Sequence, residues 1–171
     1  MRSTIVLFIC LASLVGYVEA AETIPEETRQ KIEIALREFN AGMASDDSAQ
    51  RIAAVETYFL DRSALVKLLG DDSGDAVWKK LEPELTQAKT HLRKNKGGEP
   101  EKGSIRKVEV RDMRENATYR DTIVRFPKDI GVYDAIIENE KGGGRMQGII
   151  ILDGKVKFAK PLFRKSIFSE K

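Results

Sequence analysis

Two aspartates beside two tyrosines are the residues of this sequence whose types and spacing best suit acid–base chemistry. Asp121 follows Tyr119 by two positions, and Asp134 directly follows Tyr133. An enzyme that uses a carboxylate as general base can place it in an apolar cavity, opposite a group that stabilises the developing negative charge. Asp121 and Asp134 are therefore the candidate catalytic bases.

The geometry of a β-strand limits how these residues can combine. Residues 118–126 show the two-residue alternation of a strand, and 132–140 are predicted as another strand. Adjacent strand residues point to opposite faces. Tyr133 and Asp134 then cannot both enter one cavity. The core face predicted for the first strand carries Thr122, Val124 and Phe126. This assignment turns Asp121 outward and favours a solvated strand face over a catalytic site.

Four side chains are candidates for contacting a ligand without reacting with it: Trp78, Tyr119, Tyr133 and Arg145. Trp78 also fits the apolar stripe of a predicted helix, so a place in the core or in a cavity wall is expected. No metal or cofactor is predicted, because the single histidine, His91, cannot supply a histidine-based zinc site by itself. The single cysteine, Cys10, lies in the leader described next.

The first residues have the form of an export signal. Arg2 provides a positive start, residues 5–15 are almost wholly apolar, and residues 18–20 offer a small-x-small cleavage site. The apolar run is shorter than the roughly 20 residues of a membrane-spanning helix. We therefore predict a signal peptide over 1–20 and a periplasmic or extracellular mature domain over 21–171.

The charge balance indicates a well-solvated surface. The formal net charge is +2, and 33% of the residues are charged, whereas a nucleic-acid-binding domain usually shows a clear basic excess. Three partners are considered for this chain: a small apolar ligand, a second copy of the chain, and an anionic surface. The basic residues that would contact it are Lys155, Lys157, Lys160, Arg164 and Lys165.

Asn116 begins an Asn-x-Thr sequence, which is a glycosylation acceptor only in a host that modifies exported proteins.

The order of the predicted elements indicates an α+β domain. Residues 25–94 show helical periodicity, interrupted by a predicted polar turn at 71–74, with a kink or break expected at Pro83. A glycine- and charge-rich loop at 95–104 separates them from a predicted antiparallel sheet of four to five strands over 105–163, followed by a tail at 164–171. Helices followed by antiparallel strands predict a helical layer packed on a sheet.

The end of the sheet carries its clearest turn signal. Asp153-Gly154 lies between the apolar run 149–152 and the alternating residues 155–159, which predicts a hairpin with a type I′ turn. Since all four residues of 149–152 are apolar, this strand is expected to be central and covered on both faces.

The helix-then-sheet order and the closing sequence 153–158, DGKVKF, resemble the nuclear transport factor 2-like superfamily, with Val156 where its members commonly have tryptophan. The resemblance implies a cone-like, cystatin-like curved sheet with a cavity at its open end. Enzymes of the superfamily place an acid–base residue in this cavity. Other members bind a small molecule there or dimerise through the outer sheet face, so the fold does not decide the function.

The sequence favours a non-catalytic exported domain that binds a small apolar ligand or pairs with a second copy through its sheet. The alternative is a cavity enzyme of the isomerase or cyclase type, with Asp134 or Asp121 as the base.

Overall fold

The computed structural model describes residues 24–94, 105–114, 116–139, 142–163 and Ile167. The predicted leader, the loop at 95–104 and most of the tail, including Arg164 and Lys165, lie outside the described residues.

Among the described residues four helices come first, joined by short connections: α1 (Glu26–Met43), α2 (Ser48–Tyr58), α3 (Arg62–Leu69) and α4 (Asp71–Lys94). Aspartates begin the middle two, because a carboxylate at the N-cap accepts a bond from an otherwise unpaired backbone N–H. The side chain of Asp47 accepts from the N–H of Ala49 at 2.8 Å, and that of Asp61 accepts from the N–H of Ala64 at 2.8 Å.

Helix α4 corrects the prediction of a polar turn at 71–74, because these residues form its first turn. At Pro83 the helix continues without a break, and the kink stays a prediction. Proline removes one backbone donor and its ring crowds the preceding turn, but the preceding turns are held by Val77 and Leu81, each 3% exposed in the core. Packing of this apolar stripe therefore outweighs the lost hydrogen bond.

In the described part of the chain, four strands form an antiparallel meander in the order β1-β2-β3-β4: β1 (Lys107–Asp112), β2 (Val132–Asn139), β3 (Gly142–Leu152) and β4 (Lys155–Phe158). The α+β class, with helices before an antiparallel sheet, is confirmed. Asp153 and Gly154 have φ of 51° and 73°, the two positive values that a type I′ turn requires. The predicted hairpin is confirmed, with Leu152 opposite Lys155.

The strand predicted over 118–126 is wrong. This segment forms a short 3-10 helix (Ala117–Tyr119) followed by one α-helical turn, α5 (Arg120–Ile123). The side-chain oxygen of Asn116 accepts from the N–H of Thr118 at 3.0 Å, and this local turn competes with strand formation. Residues 160–163, predicted to extend the last strand, also form a 3-10 helix (Lys160–Phe163).

Both faces of the sheet centre are covered by apolar side chains. The first core joins α1 to one face through residues that include Ile32, Leu36, Tyr133, Ile149 and Phe158. The second core joins α3 and α4 to the opposite face through residues that include Leu65, Leu81, Val132, Ile150 and Leu162. Ile149 and Ile150 are each 0% exposed, which confirms the prediction that this strand is covered on both sides.

Candidate functional site

Four polar side chains meet on the face of the sheet that carries the second core. We call Tyr119, Asp134, Arg145 and Gln147 the sheet-face cluster. The Nε of Arg145 donates to Asp134 Oδ2 at 2.7 Å, and its Nη2 contacts the same oxygen. The Nε2 of Gln147 donates to the hydroxyl of Tyr119 at 2.9 Å. The cluster thus contains an ion pair beside an amide–phenol pair.

A β-bulge at Gly148 brings the cluster together. Tyr133 is opposite Ile149, but the next residue, Asp134, is opposite Gln147, so Gly148 has no partner across the strands. Its φ of 70° belongs to the left-handed region that glycine adopts readily. In a regular ladder Asp134 would face Gly148, and Gln147 would point to the opposite side of the sheet. The bulge therefore decides that Arg145 and Gln147 share a face with Asp134.

The ion pair of the cluster is unevenly buried. Asp134 is 2% exposed, whereas the side chain of Arg145 is 46% exposed. The second carboxylate oxygen of Asp134, Oδ1, is buried without a hydrogen-bond partner among the described residues. A charge in this position depends on its partner, because removal of one member of a buried pair leaves an uncompensated charge. The buried carboxylate of Asp134 therefore holds the guanidinium of Arg145 through Nε and Nη2, and Nη1 does not take part in this pair.

This geometry suits binding better than proton abstraction. A general base must reach the proton that it removes, and Asp134 lies beneath the guanidinium that it anchors. Asp121 is exposed on α5, away from an apolar enclosure. The edge of Arg145 that does not contact Asp134 can donate hydrogen bonds to a carboxylate or carbonyl, as guanidinium groups commonly do.

The structure brings together three of the six candidate residues from the sequence. Asp134, Arg145 and Tyr119 belong to the cluster, which Gln147 completes. Tyr133 is 9% exposed and packs in the first core, on the opposite face. Trp78 is half-buried and packs against the second core.

A groove beside α5 is the second candidate site. Its volume is about 330 Å³. We call it the α5 groove; its lining consists of Arg114, Arg120, Ile123, Val124, Phe126, Pro127, Lys128 and Ile130. Phe126 belongs to the second core, and Ile123 and Ile130 pack against it, so the apolar floor is part of the folded core. Val124 is 71% exposed at this site.

Sequence reasoning missed the groove because it placed residues 118–126 in a strand with Val124 turned inward. The signal that could have found it is the Asn116 turn, since asparagine favours local side-chain-to-backbone bonds that interrupt strands. With a helical turn at 120–123, the side chain of Val124 comes to the surface.

Three cations border the groove, and they differ in their pairing. Arg114 is bound to its neighbour Asp112, with Nη2 and Nε lying 2.6 Å and 2.9 Å from Oδ2. Arg120 and Lys128 are exposed, and neither has an ion pair or side-chain hydrogen bond within the described part of the chain. The rim therefore carries two positive charges without a carboxylate partner.

The basic end of the chain is partly used for internal contacts. The amino group of Lys157 donates to the backbone carbonyl of Thr57 at 2.7 Å, at the C-terminal end of α2. This position suits a cation because the last carbonyls of a helix are unpaired and carry partial negative charge. Lys155 and Lys160 are exposed.

The pKa values of one residue in the first core, Tyr58, and of one residue on β1, Glu109, are displaced. Burial and, next, the hydrogen bond to Glu38 raise the pKa of Tyr58 to about 12. On β1, the hydrogen bond from Arg111 lowers the pKa of Glu109. Among the described residues no group of three or more histidine, cysteine, aspartate or glutamate side chains is placed to hold a metal ion.

Comparisons with models of known protein families, with curated proteins and with solved structures found no match for this chain. Within the described ranges, no helix combines the length and the apolar character needed to cross a membrane.

Proposed function

We propose that this chain is an exported, non-catalytic domain that binds a small ligand with an apolar body in the α5 groove. The observation that carries the proposal is the exposure of Val124, 71%, in a concave site with an apolar floor. Each square ångström of apolar surface removed from water contributes about 25 cal/mol. A ligand that covers this surface gains the corresponding free energy.

The volume of the groove and the packing of its floor favour a small molecule as ligand. Its volume of about 330 Å³ lies at the lower end of the range for small-molecule sites, roughly 300–1,000 Å³. The ring of Phe126 packs edge-to-face against that of Phe163, with centroids 6.1 Å apart. A floor anchored in this way is preformed, which reduces the entropy lost on binding.

The catalytic alternative has less support. Asp134 is 2% exposed and paired with Arg145, and Asp121 is exposed on α5. Export is part of the proposal because of the leader pattern at 1–20. The superfamily resemblance and a dimer through the sheet face remain predictions, and the proposal does not depend on either.

Binding of a neutral apolar dye, N-phenylnaphthylamine, tests the groove. Val124→Ser should weaken dye binding about fivefold, since losing about 1 kcal/mol of apolar contact corresponds to this factor. Ile34→Ser is the matched control, because Ile34 is also an exposed large apolar residue, 55% exposed, but lies on α1. Equal dye affinity in the two variants would contradict the proposal.

A further inference from the structure

We infer that the ligand of the α5 groove is a single-chain amphiphile with an acidic head, such as a carboxylate; this inference rests on the proposed function. The inference is based on the positive charges at the rim of the groove. Arg120 and Lys128 both line the groove, and neither is neutralised within the described residues. The third cation, Arg114, already binds Asp112.

Arg120 and Lys128 lack the carboxylate partner that several other cations of the described residues have. Arg62 pairs with Asp75 at 2.8 Å, and Lys89 pairs with Glu56 at 2.7 Å. Asp121 and Asp129 adjoin Arg120 and Lys128 in sequence, but both are exposed and neither lines the groove. An acidic group placed at the rim would therefore meet positive charge, with no competing carboxylate among the described lining residues.

The order of the lining residues matches the two parts of an amphiphile. Arg120 begins α5, Lys128 follows Pro127, and the apolar residues Ile123 and Phe126 lie between them in the chain. An apolar tail can cover the floor while its head remains at the solvent-exposed rim. The guanidinium of Arg120 can hold both oxygens of a carboxylate, and such charge-assisted bonds are about twice as strong as neutral ones.

A single amphiphile molecule in solution fits this site better than a lipid bilayer does. The apolar surface is a concave groove, whereas helices that bind the membrane interface present a broad apolar face. Ile34 and Val124 are the exposed large apolar residues among those described, and they lie on different elements. Two separated side chains do not provide a continuous inserting face.

Competition between two amphiphiles of equal chain length tests the head group. Decanoate should displace N-phenylnaphthylamine from the full chain at about tenfold lower concentration than decylammonium, because a charge-assisted contact is worth about that factor. The double variant Arg120→Gln/Lys128→Gln should remove this preference. The double variant Lys155→Gln/Lys160→Gln loses the same charge at exposed positions away from the groove and should retain it.

Each outcome decides a different point. Equal displacement by the two amphiphiles, with dye binding still sensitive to Val124→Ser, would overturn the acidic-head assignment and leave the proposed function intact. Dye binding that is insensitive to Val124→Ser would overturn both. Loss of the preference in the Lys155/Lys160 variant would refute the role of the rim. If the protein sediments with anionic phospholipid vesicles, the assignment of the ligand to a single amphiphile molecule in solution is overturned. If the protein does not sediment with them, that assignment is supported.

Discussion

Removal of the guanidinium from Arg145 is the most direct test of the sheet-face cluster. In Arg145→Met the carboxylate of Asp134, 2% exposed, loses the partner that compensates its burial. Breaking a buried ion pair in this way costs about 3–5 kcal/mol. Because the Arg145 side chain is 46% exposed, water can enter the vacated space, and we expect the lower end of this range, about 3 kcal/mol. Domains of this size unfold with about 5–15 kcal/mol, so the loss is a large fraction.

Urea unfolding at pH 7, followed by the fluorescence of the single tryptophan, Trp78, measures this loss. The matched control is Arg111→Met, since Arg111 pairs with Glu109 on the same sheet with side chains 54% and 46% exposed. Removal of an exposed pair should cost no more than about 1 kcal/mol. Asp134→Asn combined with Arg145→Met should recover most of the stability, because no charge is then buried alone.

Two results would refute the reasoning. If Arg145→Met is no less stable than Arg111→Met, the burial of Asp134 does not make its charge dependent on Arg145. If the Asp134→Asn/Arg145→Met protein is as unstable as Arg145→Met alone, the cost comes from lost packing of the arginine stem and not from the charge.

Two further predictions concern the first core and the bulge. Since the pKa of Tyr58 is raised from 10.0 to about 12, its contribution to stability is complete below pH 10 and lost as the pH rises towards 12. This loss, about 2 kcal/mol, should be absent from urea unfolding of Tyr58→Phe, and an unchanged pH dependence would contradict the assignment. Gly148→Ala should lower stability by about 3 kcal/mol, because an L-residue is strained there and overpacking adds to the cost. At φ 70° its Cβ would lie 2.4 Å from the ring of Phe163. Gly144→Ala, whose Cβ would meet nothing within 4 Å, should change the urea midpoint little, and equal effects of the two substitutions would rule out this account of the bulge.

Several local features were predictable because the residues that cause them are neighbours in the chain. Asp61 begins α3 through a bond to a backbone N–H three positions later, and Asp153-Gly154 supplies the two left-handed residues of the hairpin. Helical periodicity also predicted most of the helices, although Pro83 does not break α4. Its cost is local, whereas the burial of Val77 and Leu81 that offsets it is tertiary.

The segment 118–126 shows where alternation is an insufficient signal. Alternating apolar residues fit a strand and also fit one short helical turn, so the period alone does not distinguish them. The bond from Thr118 to Asn116 favoured the turn. The strand prediction placed Val124 on a core face, whereas the structure puts it at the surface, 71% exposed. The α5 groove was therefore not predicted.

By itself, the sequence determined the α+β class, most of the helices, the closing hairpin and the burial of Ile149 and Ile150 on opposite faces of the sheet. These follow from hydrogen bonds and apolar periods within a few residues. Only the tertiary structure decided that Asp134, Arg145 and Gln147 share a face, and that Arg120 and Lys128 border one groove. Both depend on contacts between distant residues: the bulge at Gly148 shifts the strand register, and the register sets which side chains meet.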